Sequence, residues 1–229
     1  MSAPDVRAFT VGPVQENSYI VRADPQSSRA VIVDPGEEAE RLLAAAEALG
    51  VEIEAILITH CHFDHIGAVA PIAQVTGAPV YCPAIERPVL ADVMSWVPPG
   101  FGPFESHEAE HTVAGGEQLS LAGMDFDVTF TPGHSPGHVT YAVPGALLCG
   151  DVLFQGSVGR VDLPGGDWAT LERSIESLLR AYPPETAVYP GHMGVTTLGR
   201  ERDTNPFLSG LRARVPRPAE TVDSPAHGR

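Results

Sequence analysis

The run IEAILI (residues 53–58) has the composition of a buried strand, and it empties directly into THCHFDH (59–65). Three histidines, a thiol and a carboxylate at the edge of a core are costly unless something compensates for their desolvation. The same grammar recurs. VTFTPG is followed by His134, ALLCG by Asp151 and AVYPG by His192. Each is an apolar run whose closing turn presents an imidazole or a carboxylate, and loops at the ends of rigid strands are where sites are built. A lone histidine in such a place is ordinarily a hydrogen-bonded structural residue. Nothing structural calls for H-x-H-x-D-H, whose spacing is that of metal ligands.

His60, His62, Asp64, His65, His134, Asp151 and His192 make five histidines and two aspartates. Imidazole and carboxylate together suit zinc, iron or manganese. Seven donors are too many for one tetrahedral ion. They suit two ions about 3.5–4 Å apart that share a bridging carboxylate and a bridging solvent.

Around these turns the chain alternates strand and helix. VRAFTVG, NSYIVRA and RAVIVDPG read as three strands, the last closed by Asp34-Pro35-Gly36. EEAERLLAAAEALG reads as a helix with Leu42, Leu43, Ala46 and Leu49 on one side, stopped by Gly50. A helix over 66–75 and a strand at APVYCP follow. QLSLAG, DFDVTFTPG, HVTYAVPG and ALLCGD read as strands. A helix over 167–181 begins at the cap Asp167 and is stopped by Pro183-Pro184, and a last strand lies at TAVYPG. Two β-rich halves that each contribute helices predict a sandwich of sheets with helices outside. The segment 95–106, SWVPPGFGPFES, has no period and carries Trp96, Phe101 and Phe104; it reads either as a lid over a site or as a packed surface loop.

Charge narrows the partners. Lys+Arg number 14 against 29 Asp+Glu, a net charge of −15, with no basic cluster to displace counterions from phosphates. Nucleic acid is therefore disfavoured as a partner. No apolar run approaches the length of a membrane span, and the N-terminus has no secretory pattern. Cys61, Cys82 and Cys149 are odd in number and widely spaced, which fits reduced thiols in a cytoplasmic protein.

THCHFDHIG, TPGHSPGH, GDVLFQGSVGR and YPGH, in that order, resemble the motifs of the metallo-β-lactamase superfamily, and most nearly its glyoxalase II-like branch, the hydroxyacylglutathione hydrolases. GSVGRVDLPGGD and TTLGRERDTNPFL are similar to the small, single-domain members of that branch. The resemblance implies an α/β fold, an αββα sandwich of two mixed sheets with helices on the outer faces. It covers about residues 5–208, read as one hydrolase domain over 1–208, while the tail over 209–229, rich in Pro, Arg and Ala, reads as disordered from its composition.

The same resemblance assigns His60, His62 and His134 to one metal and Asp64, His65 and His192 to a second, bridged by Asp151. It implies two divalent ions, zinc first, with iron or manganese as alternatives. It further implies hydrolysis of a small-molecule thioester by hydroxide held between the metals, with Asp64 orienting it and Asp64 and Asp151 as the catalytic carboxylates. Arg160 matches the basic position that contacts glutathione in glyoxalase II. His138 falls within a motif without being a ligand in the family. His107, His111 and His227 read as solvent-exposed, and Cys61 as packing.

Two features depart from the pattern. Val161 and Asp162 stand where glyoxalase II has an aromatic after the basic residue. The chain also ends at Arg229, soon after Leu208, where the full-length enzyme continues into a helical domain. The rival activities are a persulfide dioxygenase, which would use a single iron at the positions of His60, His134 and Asp151, and a lactonase.

Overall fold

The central strands carry near-continuous apolar runs, so both faces of each are buried and must be covered. The computed structural model, which describes residues 3–212 together with 214 and 215, shows how this is done. The first sheet holds β1 (Asp5–Val11), β2 (Glu16–Arg22), β3 (Arg29–Val33), β4 (Glu52–Leu57), β5 (Val80–Pro83) and β6 (His111–Val113), in that order. The first three run antiparallel and the rest pair in parallel through helical crossovers.

The second sheet holds β7 (Gln118–Leu121), β8 (Met124–Phe130), β9 (Val139–Val143) and β10 (Ala146–Gly150). A separate hairpin of β11 (Leu153–Phe154) and β12 (Ser157–Val158) follows. The sheet is then completed by β13 (Ala187–Pro190) and β14 (Thr196–Thr197), in the order β14-β13-β10-β9-β8-β7. Both sheets are mixed, since β10 and β13 run parallel and the other pairs antiparallel.

The helices are α1 (Ala39–Leu49), α2 (Phe63–Ile66), α3 (Val69–Thr76), α4 (Arg87–Ala91), α5 (Trp168–Ala181) and α6 (Leu198–Thr204). Three apolar layers result. Tyr19, Val31, Val33 and Leu57 meet Phe126, Val128, Tyr141 and Leu148 between the sheets. Ile20, Ile32 and Ile56, the alternate residues, pack outward under Leu42, Val69 and Ile72 of α1 and α3. Leu147 and Val188 pack outward under Leu171, Ile175 and Leu178 of α5. This is the αββα sandwich that the motifs imply.

Three local differences from the sequence reading have plain causes. The helix expected over 66–75 is α3, which starts at Val69, and a separate turn, α2, precedes it because the histidine-rich segment is itself helical there. The short strands β6, β11, β12 and β14 and the helix α6 carry too few residues for a period to show. The expected tail 209–229 begins packed: Leu211 and Val215 are buried beside Leu208 in the α5 layer, and Arg214 pairs with Glu172 at 2.7 Å. Residues 216–229, with His227, lie outside the described residues.

Candidate metal centre

The four motif turns leave their strands at one edge of the sandwich. His60, His62, Asp64 and His65 follow β4, His134 follows β8, Asp151 follows β10 and His192 follows β13. The sheets are joined there by hydrogen bonds. Tyr19 Oη donates to Pro190 O (2.6 Å), Asn17 Nδ2 to Pro190 O and Met193 O, and Tyr141 Oη to Ile58 O (2.9 Å). Glycine is required where backbones and ligands crowd. A Cβ on Gly191 would collide with Asp151 Oδ1, and one on Gly36 would collide with the carbonyl of Asp64.

The seven residues form two groups. The first is His60, His62 and His134, with His60 Nε2 at 3.1 Å and His134 Nε2 at 2.8 Å from His62 Nδ1. The second is Asp64, His65 and His192, with Asp64 Oδ2 at 3.3 Å from His192 Nε2 and 3.9 Å from His65 Nε2. Asp151 stands between them: its Oδ1 is 3.4 Å from His65 Nε2, and its Oδ2 is 3.5 Å from His134 Nε2 and 3.6 Å from His192 Nε2. His65 Nε2 and Asp151 Oδ1 are buried without a hydrogen-bond partner. Buried polar atoms are otherwise satisfied almost everywhere in proteins, so this pair points to something that protein atoms do not supply.

The outward ring nitrogens explain why the inward ones are available. His134 Nδ1 donates to Arg160 O (2.7 Å), and His192 Nδ1 faces Gln15 O (3.3 Å). His65 Nδ1 donates to Asp34 Oδ2 (3.1 Å). Thr59 Oγ1 donates to that same oxygen (2.6 Å) and so is left to accept from His60 Nδ1 (3.1 Å). Each bond places a proton on Nδ1 and turns Nε2 toward the cluster, the orientation that metal-ligating histidines need. His138 is spent differently. Its Nδ1 lies 3.1 Å from Thr131 Oγ1 and its Nε2 accepts from the backbone N–H of Asp151 (3.1 Å). It orients Asp151 and has no nitrogen left over.

The electrostatics agree with these positions. Burial, then the neighbouring imidazoles, holds His60 well below the usual histidine range and His62 down at about 4, so both are neutral at pH 7. Burial opposes ionisation of Asp151 and Asp64, but the facing His65 outweighs it and both carboxyls lie low. Burial also opposes a charge on His65, and Asp151 and Asp64 overcome it, so His65 lies well above its ordinary value.

Asp34 and Glu86 do not stand among the residues expected from sequence. Asp34, 2% exposed, orients His65 and also accepts the backbone N–H of Thr59 (2.7 Å). Glu86 is 5% exposed and ties two ligand turns together. It accepts the N–H of Cys61 (2.6 Å) from the first, and the N–H of Gly137 (2.9 Å) and the hydroxyl of Ser135 from the second.

A cavity of about 620 Å³ opens over His62, Asp64, His134, Asp151 and His192. Arg160 lines it, and its guanidinium forms two 2.7 Å bonds to the Asp162 carboxylate. Of the loop's three aromatic residues Trp96 lines the cavity, whereas Phe101 and Phe104 pack on Phe63, with ring centres at 4.6 and 6.3 Å. Cys61 is buried, its Sγ 3.5 Å from that of Cys82. His111 is exposed against the Tyr81 ring, and His107 is half-buried beside Glu110.

This fold and this cluster are those of a known family. The chain belongs to the metallo-beta-lactamase superfamily, whose model matches residues 11–192. It is 33% identical to the hydroxyacylglutathione hydrolase GloC of Haemophilus influenzae, over 90% of this chain and 98% of that protein. Among solved structures it is similar to BLEG-1, a B3 metallo-beta-lactamase, at 39% identity and a TM-score of 0.85, over 90% of this chain and all of the other. It is also similar to TTHA1623 in a di-iron-bound form, at 42% identity and a TM-score of 0.72, over 89% of this chain and all of the other. By class the chain is a metallo-hydrolase, a family that acts on small-molecule substrates. No helix among the described residues is long and apolar enough to cross a membrane.

Proposed function

We propose that the chain is a cytoplasmic, dinuclear metal-dependent hydrolase of small thioesters. His60, His62 and His134 would hold one ion and Asp64, His65 and His192 the other, with Asp151 standing between the two groups and able to serve both; zinc is the proposed metal. The observation that carries this reading is the placement of Asp151, within 3.6 Å of imidazoles from both groups while one of its buried oxygens has no protein partner. Ions bound there would lower the pKa of a coordinated water and polarise an acyl oxygen.

The chain's own residues supply the rest. Asp64 lines the cavity as an ionised carboxylate, placed to orient the attacking water. Water adds to the acyl carbon, the carbon–sulfur bond breaks, and the products are a carboxylate and a thiol. No side chain is needed as nucleophile. Burial pushes the Cys149 thiol up to about 12, and burial with the adjacent Cys82 pushes Cys61 up as well, so neither presents a thiolate. Three free, buried thiols also fit a reducing compartment.

The reading is supported by the likeness to GloC, whose name assigns it hydroxyacylglutathione hydrolysis. Its test is steady-state turnover of thioesters by zinc-loaded protein, beside a lactone, and oxygen uptake on a persulfide by iron-loaded protein. Thioester hydrolysis is expected, with Asp151→Ala abolishing it and lowering bound metal below that of any single histidine variant. Oxygen uptake without thioester hydrolysis would overturn the reading in favour of the dioxygenase. Hydrolysis confined to the lactone would overturn it in favour of the lactonase.

A further inference from the structure

The floor of the cavity is polar and its walls are not. Phe63, Ile85, Val89, Trp96 and Leu163 rise around the ligand residues. Ile85 and Trp96 are 58% and 59% exposed, an unusual use of large apolar side chains in a chain with a net charge of −15. Apolar surface left open beside a polar cluster marks a binding site. Four further wall residues, Pro88, Pro98, Pro136 and Pro164, have φ fixed by their rings. The Phe101 and Phe104 rings hold the Trp96 loop down on Phe63. The walls are therefore formed before any ligand arrives, and little ordering entropy is spent on binding.

The charges point the same way. Among the described residues Arg160 is the only Arg or Lys that lines the cavity, and its guanidinium already meets both oxygens of Asp162. A substrate carboxylate could reach Arg160 only by displacing that partner. It would still have the Asp162 charge beside it, so the gain is the difference between two exposed ion pairs, which is small. A tripeptide thiol carries carboxylates far from its sulfur, and among the described residues the cavity walls offer no free cation to receive them.

We infer that, within the hydrolase reading above, this site selects thioesters whose groups remote from the reacting bond are apolar and uncharged. Binding comes from the Ile85–Trp96 wall and from the metal-ligand floor, and Arg160 is not a carboxylate receptor. Uniform binding of a remote apolar group appears mainly in KM.

The test uses four substrates: the phenylacetyl and D-lactoyl thioesters of N-acetylcysteamine and of glutathione, with zinc-loaded full chain. Phenylacetyl-N-acetylcysteamine is expected to exceed lactoylglutathione in kcat/KM by at least about tenfold, within what burial of one aromatic ring supplies. Trp96→Ala and Ile85→Ser, at exposed positions where the fold is not at stake, should each cut that ratio several-fold through KM. A preference for lactoylglutathione, or a ratio that neither variant moves, would overturn the inference and leave the hydrolase standing. If no thioester is turned over, calorimetric binding of the two matching non-hydrolysable thioethers decides. Preferred binding of the phenyl compound that Trp96→Ala weakens would support the apolar site while the hydrolase reading falls; equal binding would sink both.

Discussion

Asp34 adopts φ 47°, a left-handed conformation that costs a non-glycine residue about 1 kcal/mol or more. The strain is matched by what its carboxylate holds: the N–H and Oγ1 of Thr59, and His65 Nδ1. With Nδ1 so engaged, any second proton on His65 sits on Nε2, facing Asp151 and Asp64. These two carboxylates hold His65 well above its ordinary value, so the metal-free protein carries that proton at pH 7. The sign follows. A raised folded pKa stabilises the metal-free fold below about pH 6.5, and this contribution is lost as pH rises through the folded value. A metal at Nε2 must displace the proton, so affinity at the Asp64–His65–His192 group should rise with pH around neutrality. Calorimetry of metal uptake at pH 7, repeated in buffers of different ionisation heat, should show at least about one proton released per chain. Heats independent of buffer would show that His65 is already neutral.

At the scale of elements, Glu86 is the tie between the turn after β4 and the turn after β8. Its oxygens receive only donors: Cys61 N–H on one side, Gly137 N–H and the Ser135 hydroxyl on the other. Glu86→Gln preserves shape but sets an amide N–H against a backbone N–H, so one turn must move. These turns carry His60, His62 and His134, whose ring nitrogens lie within 4.8 Å of one another. Loss of such supporting partners costs metal sites roughly 10–100-fold in affinity. Competition against a chelator, followed with cobalt as a spectroscopic probe, should show that loss at the three-histidine group. The Asp64–His65–His192 group should change by less. An equal loss at both groups, or none, would mean that Glu86 serves the fold alone.

For the molecule as a whole, legibility in the sequence tracked distance along the chain. The apolar runs that form β2, β3, β4, β8, β9 and β10, and the caps of α5, are local signals; Asp167 accepts the Thr170 N–H as a cap should. Four of the site's turns announced themselves by presenting histidine or aspartate after an apolar run. Asp34, in RAVIV-DPG, obeys that same rule and reads instead as a turn residue, because nothing local distinguishes the two roles. Glu86 was not legible at all. Its partners lie 25, 49 and 51 positions away, and a glutamate in AIER has no pattern of its own. Leu211 and Val215 sit among arginine, proline and glycine, so composition hides the layer that buries them.

The central claim is that two ions share Asp151 and that hydrolysis requires both. Protein stripped of metal and titrated with zinc, with thioester turnover and bound metal read on the same samples, tests it most directly. Turnover is expected to rise steeply only beyond one equivalent and to level off at two per chain, and Asp151→Ala should show no such rise. Full turnover at one equivalent, unchanged by the second, would contradict the shared-carboxylate site.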